Sequence, residues 1–151
     1  MTHIDERNEA AAIYQSAGYS LVELMVVVAI IALIGAISIP MYKGYVSTSQ
    51  GAATRQNAEP LHLALEDYFL DNSTYAEGDW IPDGAQTLES GALGWHPDGD
   101  QSGYNYSVVA GPTGTIASSY VLTVTNRSNT SIVTTCTRNQ TTGTFNCVTT
   151  K

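Results

Sequence analysis

The stretch from Gly18 to Pro40, GYSLVELMVVVAIIALIGAISIP, is a long apolar run that decides the architecture of the chain. The twenty-one residues from Tyr19 to Ile39 contain one charged side chain, Glu23. As an α-helix rising about 1.5 Å per residue, they would extend roughly 31 Å, which matches the ~30 Å hydrocarbon core of a bilayer. The run therefore predicts a membrane-spanning helix.

Two other interpretations of the run fit less well. A core helix of a soluble protein is rarely apolar on all faces over such a length. A cleaved secretory signal has an apolar core of about 7 to 15 residues and a basic start. The segment before the run contains three carboxylates (Asp5, Glu6 and Glu9) and one guanidinium, Arg7, so its net charge is −2. This charge gives no clear signal for the orientation of the helix in the membrane.

Glu23 is the residue of the run that requires a partner. A charged side chain in the middle of a bilayer costs about 2.5 to 3.5 kcal/mol on insertion scales. At the start of a helix, the carboxylate can extend toward water and gain a few tenths to ~1 kcal/mol from the helix dipole. A cationic partner would also neutralise it, and the residues alone leave both solutions open.

Length and charge limit the remaining possibilities. A chain of 151 residues has room for one ordinary domain and an appendage. The net charge is −8, and the only basic residues beyond Arg55 are Arg127, Arg138 and Lys151. This is too little cationic surface for phosphate-driven affinity, so nucleic acid is an unlikely partner.

Residues downstream of the run keep a helical pattern with several weak points. The helix breakers are Gly35, Pro40, Gly44 and Pro60. Apolar side chains then recur at helical spacing at Leu61, Leu65, Tyr68 and Phe69. We expect an amphipathic helix over residues 41–71 that packs its apolar stripe on a sheet, and we expect the weakest part of the long helix near Pro40.

The rest of the chain predicts a connecting loop and a sheet. Residues 72–103 are rich in Gly, Asp and Pro, which is typical of a long loop. Four β-branched and aromatic segments follow within residues 104–151, namely YNYSVVA, YVLTVTN, SIVTTCT and TFNCVTT, separated by short turns. They predict a four-stranded antiparallel meander that buries one face on the helix, and hence an α+β fold.

Cys136 and Cys147 lie in the last two predicted strands. Two cysteines beside an exported segment favour a disulfide, which would contribute about 3 kcal/mol by closing a short loop in the chain-entropy model. Two buried free thiols are the alternative.

No set of residues predicts catalysis or a bound cofactor. Asp98, Asp100 and Ser102 match the start of a calcium-binding loop, but Val109 stands where the closing glutamate is needed, so a polar turn without metal is favoured. The three histidines, His3, His62 and His96, are isolated along the chain, and His62 is expected on the helix surface. We therefore expect a protein that is not an enzyme.

The run from Gly18 resembles the amino-terminal signature of the type IV pilins. It has a Gly at the position of cleavage, an aromatic residue after it and a Glu four residues further on, here Gly18, Tyr19 and Glu23. Pro40 and Pro60 match two prolines that many pilins carry in the long helix. The resemblance implies the pilin fold, with residues 19–40 as the membrane and filament-core helix and residues 41–151 as the periplasmic or extracellular domain.

The resemblance also implies processing and partners. A prepilin peptidase would remove residues 1–18 as a leader, cleaving between Gly18 and Tyr19, and would methylate the new amine of Tyr19. Glu23 would neutralise that amine, within one chain or in a neighbouring subunit. The expected partners are further copies in a helical filament, the assembly machinery of the inner membrane and the membrane itself. The chain would move from the bacterial inner membrane to an extracellular pilus.

Three functional classes share these features. A structural subunit would build the filament for adhesion, motility or DNA uptake. A minor pilin would act as a binding module at the tip, and a type II secretion pseudopilin would build a short periplasmic rod. The cysteine pair near the carboxy terminus favours a true pilin over most pseudopilins.

Overall fold

The computed structural model describes residues 18–151. The predicted leader therefore lies outside the described residues except for Gly18. The contacts divide the chain between Pro40 and Met41, so the two parts are described separately. Helix α1 spans Leu21–Gln56, and helix α2 spans Glu59–Asn72.

The part up to Pro40 consists of the first half of α1. Its large apolar side chains are exposed all along the helix, from Leu21 to Ile39. Pro40 lies inside the helix. Among the described residues, this helical region is the one that is long and apolar enough to cross a membrane, by length and composition.

The part from Met41 onward begins with the second half of α1 and continues with α2. The two helices are separated at Asn57 and Ala58, and Pro60 lies in the first turn of α2. Pro is tolerated there because the first N–H groups of a helix have no carbonyl partner within the helix. The helix ends at Ser73, whose left-handed backbone (φ 54°) lets its N–H reach the carbonyl of Phe69.

A five-stranded antiparallel sheet follows, with its strands in sequence order. The strands are β1 Gly78–Trp80, β2 Tyr104–Ala110, β3 Ser119–Asn126, β4 Val133–Asn139 and β5 Thr144–Thr150. The α+β prediction is confirmed, but the count of four strands is wrong. Strand β1 lies within the predicted loop, and its three residues are too short to show a period-two pattern; they pair with Tyr106–Val108 of β2. Helix α3 (Thr87–Ser90) and a 3-10 helix (Gly99–Gly103) also lie in this segment.

The core lies between α2 and one face of the sheet. Leu61 and Leu65, one helical turn apart, are fully buried. The alternating residues of β3, Tyr120, Leu122 and Val124, are buried on the facing side of the sheet. Each such side chain contributes about 1.5 to 3 kcal/mol by leaving water, so this face holds the helix on the sheet.

The predicted disulfide is confirmed. Cys136 and Cys147 lie directly opposite each other on β4 and β5, with their Cα atoms 4.0 Å apart and their sulfurs bonded. Cys136 is fully buried in the core, so the bond ties the edge strand β5 to a buried position of β4.

Candidate functional site

The start of α1 carries the residues that the sequence analysis singled out for processing and assembly. Gly18, Tyr19 and Ser20 precede the helix in non-helical backbone. The side chain of Tyr19 is 85% exposed, and a Cβ added at Gly18 would meet no atom within 4 Å. The peptide bond between Gly18 and Tyr19 is therefore accessible in the described chain.

Glu23 and Ser20 cap the helix reciprocally. The backbone N–H of Ser20 donates to Oε2 of Glu23 at 2.9 Å, and the N–H of Val22 donates to the Ser20 hydroxyl at 3.3 Å. Ser followed three residues later by Glu is the sequence signature of such a capping box. The signal is present in the sequence itself, in the stretch SLVE.

The capping arrangement gives Glu23 a partner before any processing. Its carboxylate lies in the first turn, where the free N–H groups and the helix dipole favour negative charge. While Tyr19 is joined to Gly18, its nitrogen is a neutral amide. Only cleavage of that bond creates an α-amine, which has an ordinary pKa of about 7.7 to 8.0 and is charged at neutral pH.

The helix breakers do not share a common structural role within one chain. A Cβ added at Gly35 or Gly44 would meet no atom within 4 Å, so packing inside the described chain does not require glycine there. Pro40 continues the helix without a donor N–H, and Pro60 lies in the first turn of α2. Gly51 differs, because a Cβ there would approach Lys151 and Thr149 at 3.1 and 3.3 Å.

The weak calcium candidate forms a hydrogen-bonded turn. Asp98 precedes the 3-10 helix, and its N–H donates to Oε1 of Gln101 at 3.4 Å. The Ser102 hydroxyl donates to the carbonyl of Gly99 at 2.8 Å, and Asp98 lies 3.5 Å from Nε2 of His96. Within residues 18–151, no group of three or more His, Cys, Asp or Glu side chains is placed to hold a metal ion.

The expectation that His62 lies on the helix surface is wrong. Its side chain is only 16% exposed and stacks on Phe145 of β5, with the ring centroids 3.7 Å apart. Its Nδ1 is hydrogen-bonded to the hydroxyl of the buried Tyr120. The flanking residues Leu61 and Leu63 could not reveal this, because the partners of His62 come from strands that are distant in sequence.

A partly buried ion pair lies one turn further along α2. Arg138 of β4 donates to Glu66 through Nε at 2.9 Å and through an Nη at 3.2 Å. The hydroxyl of Tyr75 donates to Gln140 at 2.9 Å and lies 3.2 Å from Oε1 of Glu66. These groups join α2 to β4 and to the segment after α2, and no local sequence pattern predicts them because their partners are distant in sequence.

Burial and charge set the protonation of this cluster. Burial lowers the pKa of His62, although the Glu66 and Glu59 carboxylates act to raise it. Burial alone would raise the pKa of Glu66, but the hydrogen bonds and charge of Arg138 lower it below its usual value. Burial raises the pKa of the Tyr120 phenol, so this hydroxyl stays protonated and can donate to a neutral His62.

Comparisons with known proteins identify one family and several type IV pilins that are similar to part of this chain. Residues 14–39 match the family described as the prokaryotic N-terminal methylation motif. The chain is 38% identical over 60 residues to a type IV major fimbrial protein FimA of Dichelobacter nodosus, covering 40% of this chain and 38% of FimA. It is 30% identical over 95 residues to the type IV major pilin protein PilA of Myxococcus xanthus (strain DK1622), covering 62% of this chain and 38% of PilA.

A similar match is found in a third genus. The type IV major pilin protein PilE1 of Neisseria gonorrhoeae is 32% identical over 60 residues, which cover 40% of this chain and 36% of PilE1. The chain thus spans less than two fifths of the length of these curated relatives. No solved structure matches the chain significantly.

A long apolar amino-terminal helix followed by an antiparallel sheet defines an α+β protein of pilin-like fold. Its amino-terminal segment matches the methylation motif, and the chain is similar to type IV major pilins of three genera.

Proposed function

We propose that this chain is a structural subunit of a type IV pilus. The observation that carries the proposal is the methylation motif at the start of a helix whose large apolar side chains are exposed on every face up to Ile39. Such a helix needs an apolar environment, which lipid provides before assembly and neighbouring helices provide in a filament. The similarity to type IV major pilins supports the same role.

Processing is the first step of the proposed function. A prepilin peptidase cleaves the accessible bond between Gly18 and Tyr19 and methylates the new amine of Tyr19. A methylated amine keeps its positive charge. The cleavage therefore converts a neutral amide, four residues before Glu23, into a cation that competes with the Ser20 N–H for the Glu23 carboxylate.

Assembly is the second step. When helices bundle and exclude water, the Tyr19 amine and Glu23 would be two buried charges, and each is costly without the other. Pairing them neutralises both, within one subunit or between stacked subunits. The pairing between subunits also sets the axial register of identical helices, which apolar contacts alone leave loosely specified.

The location follows from these steps. The precursor lies in the bacterial inner membrane, where it meets the peptidase and the assembly machinery, and the assembled protein lies in an extracellular pilus. The filament would serve adhesion, motility or DNA uptake. The acidic balance of the chain, with a net charge of −8, counts against direct recognition of DNA.

A minor pilin at the tip and a type II secretion pseudopilin are the alternative functions. The disulfide between the last two strands supports a true pilin over a pseudopilin, because it follows the carboxy-terminal cysteine pattern implied by the pilin resemblance. The amount of this chain in sheared surface filaments distinguishes a major pilin from a minor one.

The test expresses the full chain in a host with the pilus machinery and examines sheared surface material. We expect abundant filaments composed of a chain that starts at Tyr19 and carries one methyl group by mass spectrometry. Glu23→Ala should insert and fold but assemble poorly, because it leaves the Tyr19 amine without a partner. Glu59→Ala, which removes an exposed first-turn carboxylate of α2, is its control. Filaments with an intact leader, or the absence of this chain from them, would contradict the proposal.

A further inference from the structure

A groove in the folded domain is lined by two aromatic side chains and two carboxylates. It lies between α2 and residues 93–95 and has a volume of about 230 Å³. Its lining includes Asp67, Tyr68 and Asp71 of α2, with Trp95 opposite them. The groove is therefore a concave surface that is both anionic and aromatic.

The aromatic wall of the groove is held in place by the core. The backbone N–H of Trp95 donates to the backbone carbonyl of Leu88 at 2.8 Å. The Trp95 ring packs edge to face on the buried Tyr106, with the centroids 5.0 Å apart. Gly94, which also lines the groove, has a φ of 63° that favours glycine, so the turn that presents Trp95 depends on it. The site is thus largely formed before anything binds.

Positive charge is missing from the segment that builds this groove. Residues 56–126 contain ten carboxylates and no Lys or Arg. Arg127 directly follows β3 and pairs with Asp83, and Arg138 lies in β4 and pairs with Glu66. Within residues 18–151, Asp67 and Asp71 form no ion pair, so both charges of the groove are uncompensated inside one subunit.

The basic residues without an acidic partner lie elsewhere in the same domain. They are Lys43 and Arg55 of α1 and Lys151 at the carboxy terminus. The ammonium group of Lys151 donates one hydrogen bond to the hydroxyl of Thr48 at 3.2 Å, so it already has a partner within the same chain. No ion pair in the described part of the chain uses any of the three. Within the described residues, the carboxylates of the groove and these three basic side chains therefore do not neutralise each other inside one subunit.

We propose that the groove binds a basic side chain from a second copy of this chain, with Arg55 as the preferred occupant. A guanidinium pairs with carboxylates through a fork of N–H donors and stacks on aromatic faces, and this groove offers both. Arg55 is exposed in the last turn of α1 and free to reach another subunit. Complementary charge of this kind fixes the orientation of copies. The inference rests on the proposed function, because it assigns a contact within the same filament.

The test uses charge reversal and its rescue in the full chain. Asp67→Lys with Asp71→Lys should abolish sheared filaments while leaving the chain processed and folded in the membrane. Adding Arg55→Asp to that variant should restore filaments, whereas Arg55→Asp alone should lose them. Asp100→Lys is the matched control, because Asp100 is an exposed carboxylate that does not line the groove.

The outcomes separate this inference from the proposed function. Rescue by Arg55→Asp, Lys43→Asp or Lys151→Asp supports binding of a second copy and identifies the basic residue. Normal filament yield from the Asp67 and Asp71 double variant, or rescue by none of the three, overturns the inference. A folded and processed wild-type chain that forms no filaments contradicts the proposed function instead. If tetramethylammonium binds the wild-type monomer but reversal leaves filaments intact, the groove is a small-cation site and the inference is also overturned.

Discussion

The carboxylate of Glu23 accepts a 2.9 Å hydrogen bond from the backbone N–H of Ser20, so the charged residue of the apolar helix has a partner within its own first turn. The partner is a neutral amide. It compensates the loss of water around the carboxylate only in part, and it leaves the negative charge available to a cation. Two roles of Glu23, helix cap and ionic partner, can thus be separated by mutation.

Glu23→Gln should assemble poorly while keeping the start of the helix. The amide oxygen of Gln accepts the Ser20 N–H as the carboxylate does, but the side chain has no charge for the Tyr19 amine. We expect a processed, membrane-inserted chain and a strong loss of sheared filaments. Ser20→Ala is the control, because it removes the hydroxyl cap at a cost of about 0.5 to 2 kcal/mol and leaves the charge pair. Filament numbers equal to wild type in Glu23→Gln would refute ionic pairing.

Replacing Cys136 and Cys147 by Ser should destabilise the folded domain. Loss of the cross-link costs about 3 kcal/mol in the chain-entropy model, which corresponds to a fall in the melting temperature on the order of 10 °C. Thermal unfolding of the full chain in micelles, followed by circular dichroism, measures this change. Thr135→Ser, on an exposed position of β4, should melt like wild type. Free thiols in the native, unreduced protein would contradict the prediction.

Leu65→Ala should cost about 2 to 5 kcal/mol in the free energy of unfolding, because it leaves a cavity between α2 and the sheet. Leu63 lies two residues away on the same helix, but its side chain is 66% exposed. Leu63→Ala should therefore change the stability by less than about 0.5 kcal/mol. Denaturant titration of both variants checks the difference, and equal losses would mean that α2 does not pack as described.

The free energy of unfolding should fall as the pH is lowered below about 6.5. Burial lowers the pKa of His62 in the folded state, so the unfolded chain binds more protons once the pH drops below the ordinary histidine pKa. Glu66, with its lowered pKa, adds stability that is present above its ordinary pKa of 4.5 and is lost as the pH falls through the folded value.

Denaturant titrations between pH 5 and 8 test the contribution of His62. The variant His62→Gln should show a flatter dependence on pH over this range, whereas His96→Gln, at an exposed position, should keep the wild-type slope. An unchanged slope in His62→Gln would show that another group is responsible.

The helix should lose hydrogen bonds near Pro40 when subunits assemble. Pro40 lacks the N–H that would bond to Ala36, at a cost of about 3 kcal/mol in a helix interior, and Gly35 and Gly44 each add up to about 1 kcal/mol. A locally unwound stretch lengthens toward about 3.3 Å per residue, which would let a filament extend under load. Cryo-electron microscopy of the filament checks this, and a continuous helix through Pro40 there would contradict it. Pro40→Ala should restore the helix.

The sequence by itself determined the features that depend on local pattern. The apolar run from Tyr19 to Ile39 shows its length and polarity directly, and four strands show β-branched alternation between turns. The disulfide could be predicted because Cys136 and Cys147 fall in neighbouring predicted strands. The capping box of Ser20 and Glu23 is equally local, because its signal lies within four consecutive residues.

Only the tertiary structure decided the features that depend on partners far apart in sequence. Strand β1 exists because β2 offers it an edge, since three residues hold no strand pattern of their own. The side chain of His62 is largely buried because β3 and β5 bring Tyr120 and Phe145 to α2. Glu66 pairs with Arg138, which lies 72 residues further along the chain. The groove of Asp67, Asp71 and Trp95 arises in the same way. Each of these contacts joins segments that are far apart along the chain. Such contacts leave no local pattern in the sequence, so only the packing of the folded chain brings the residues together.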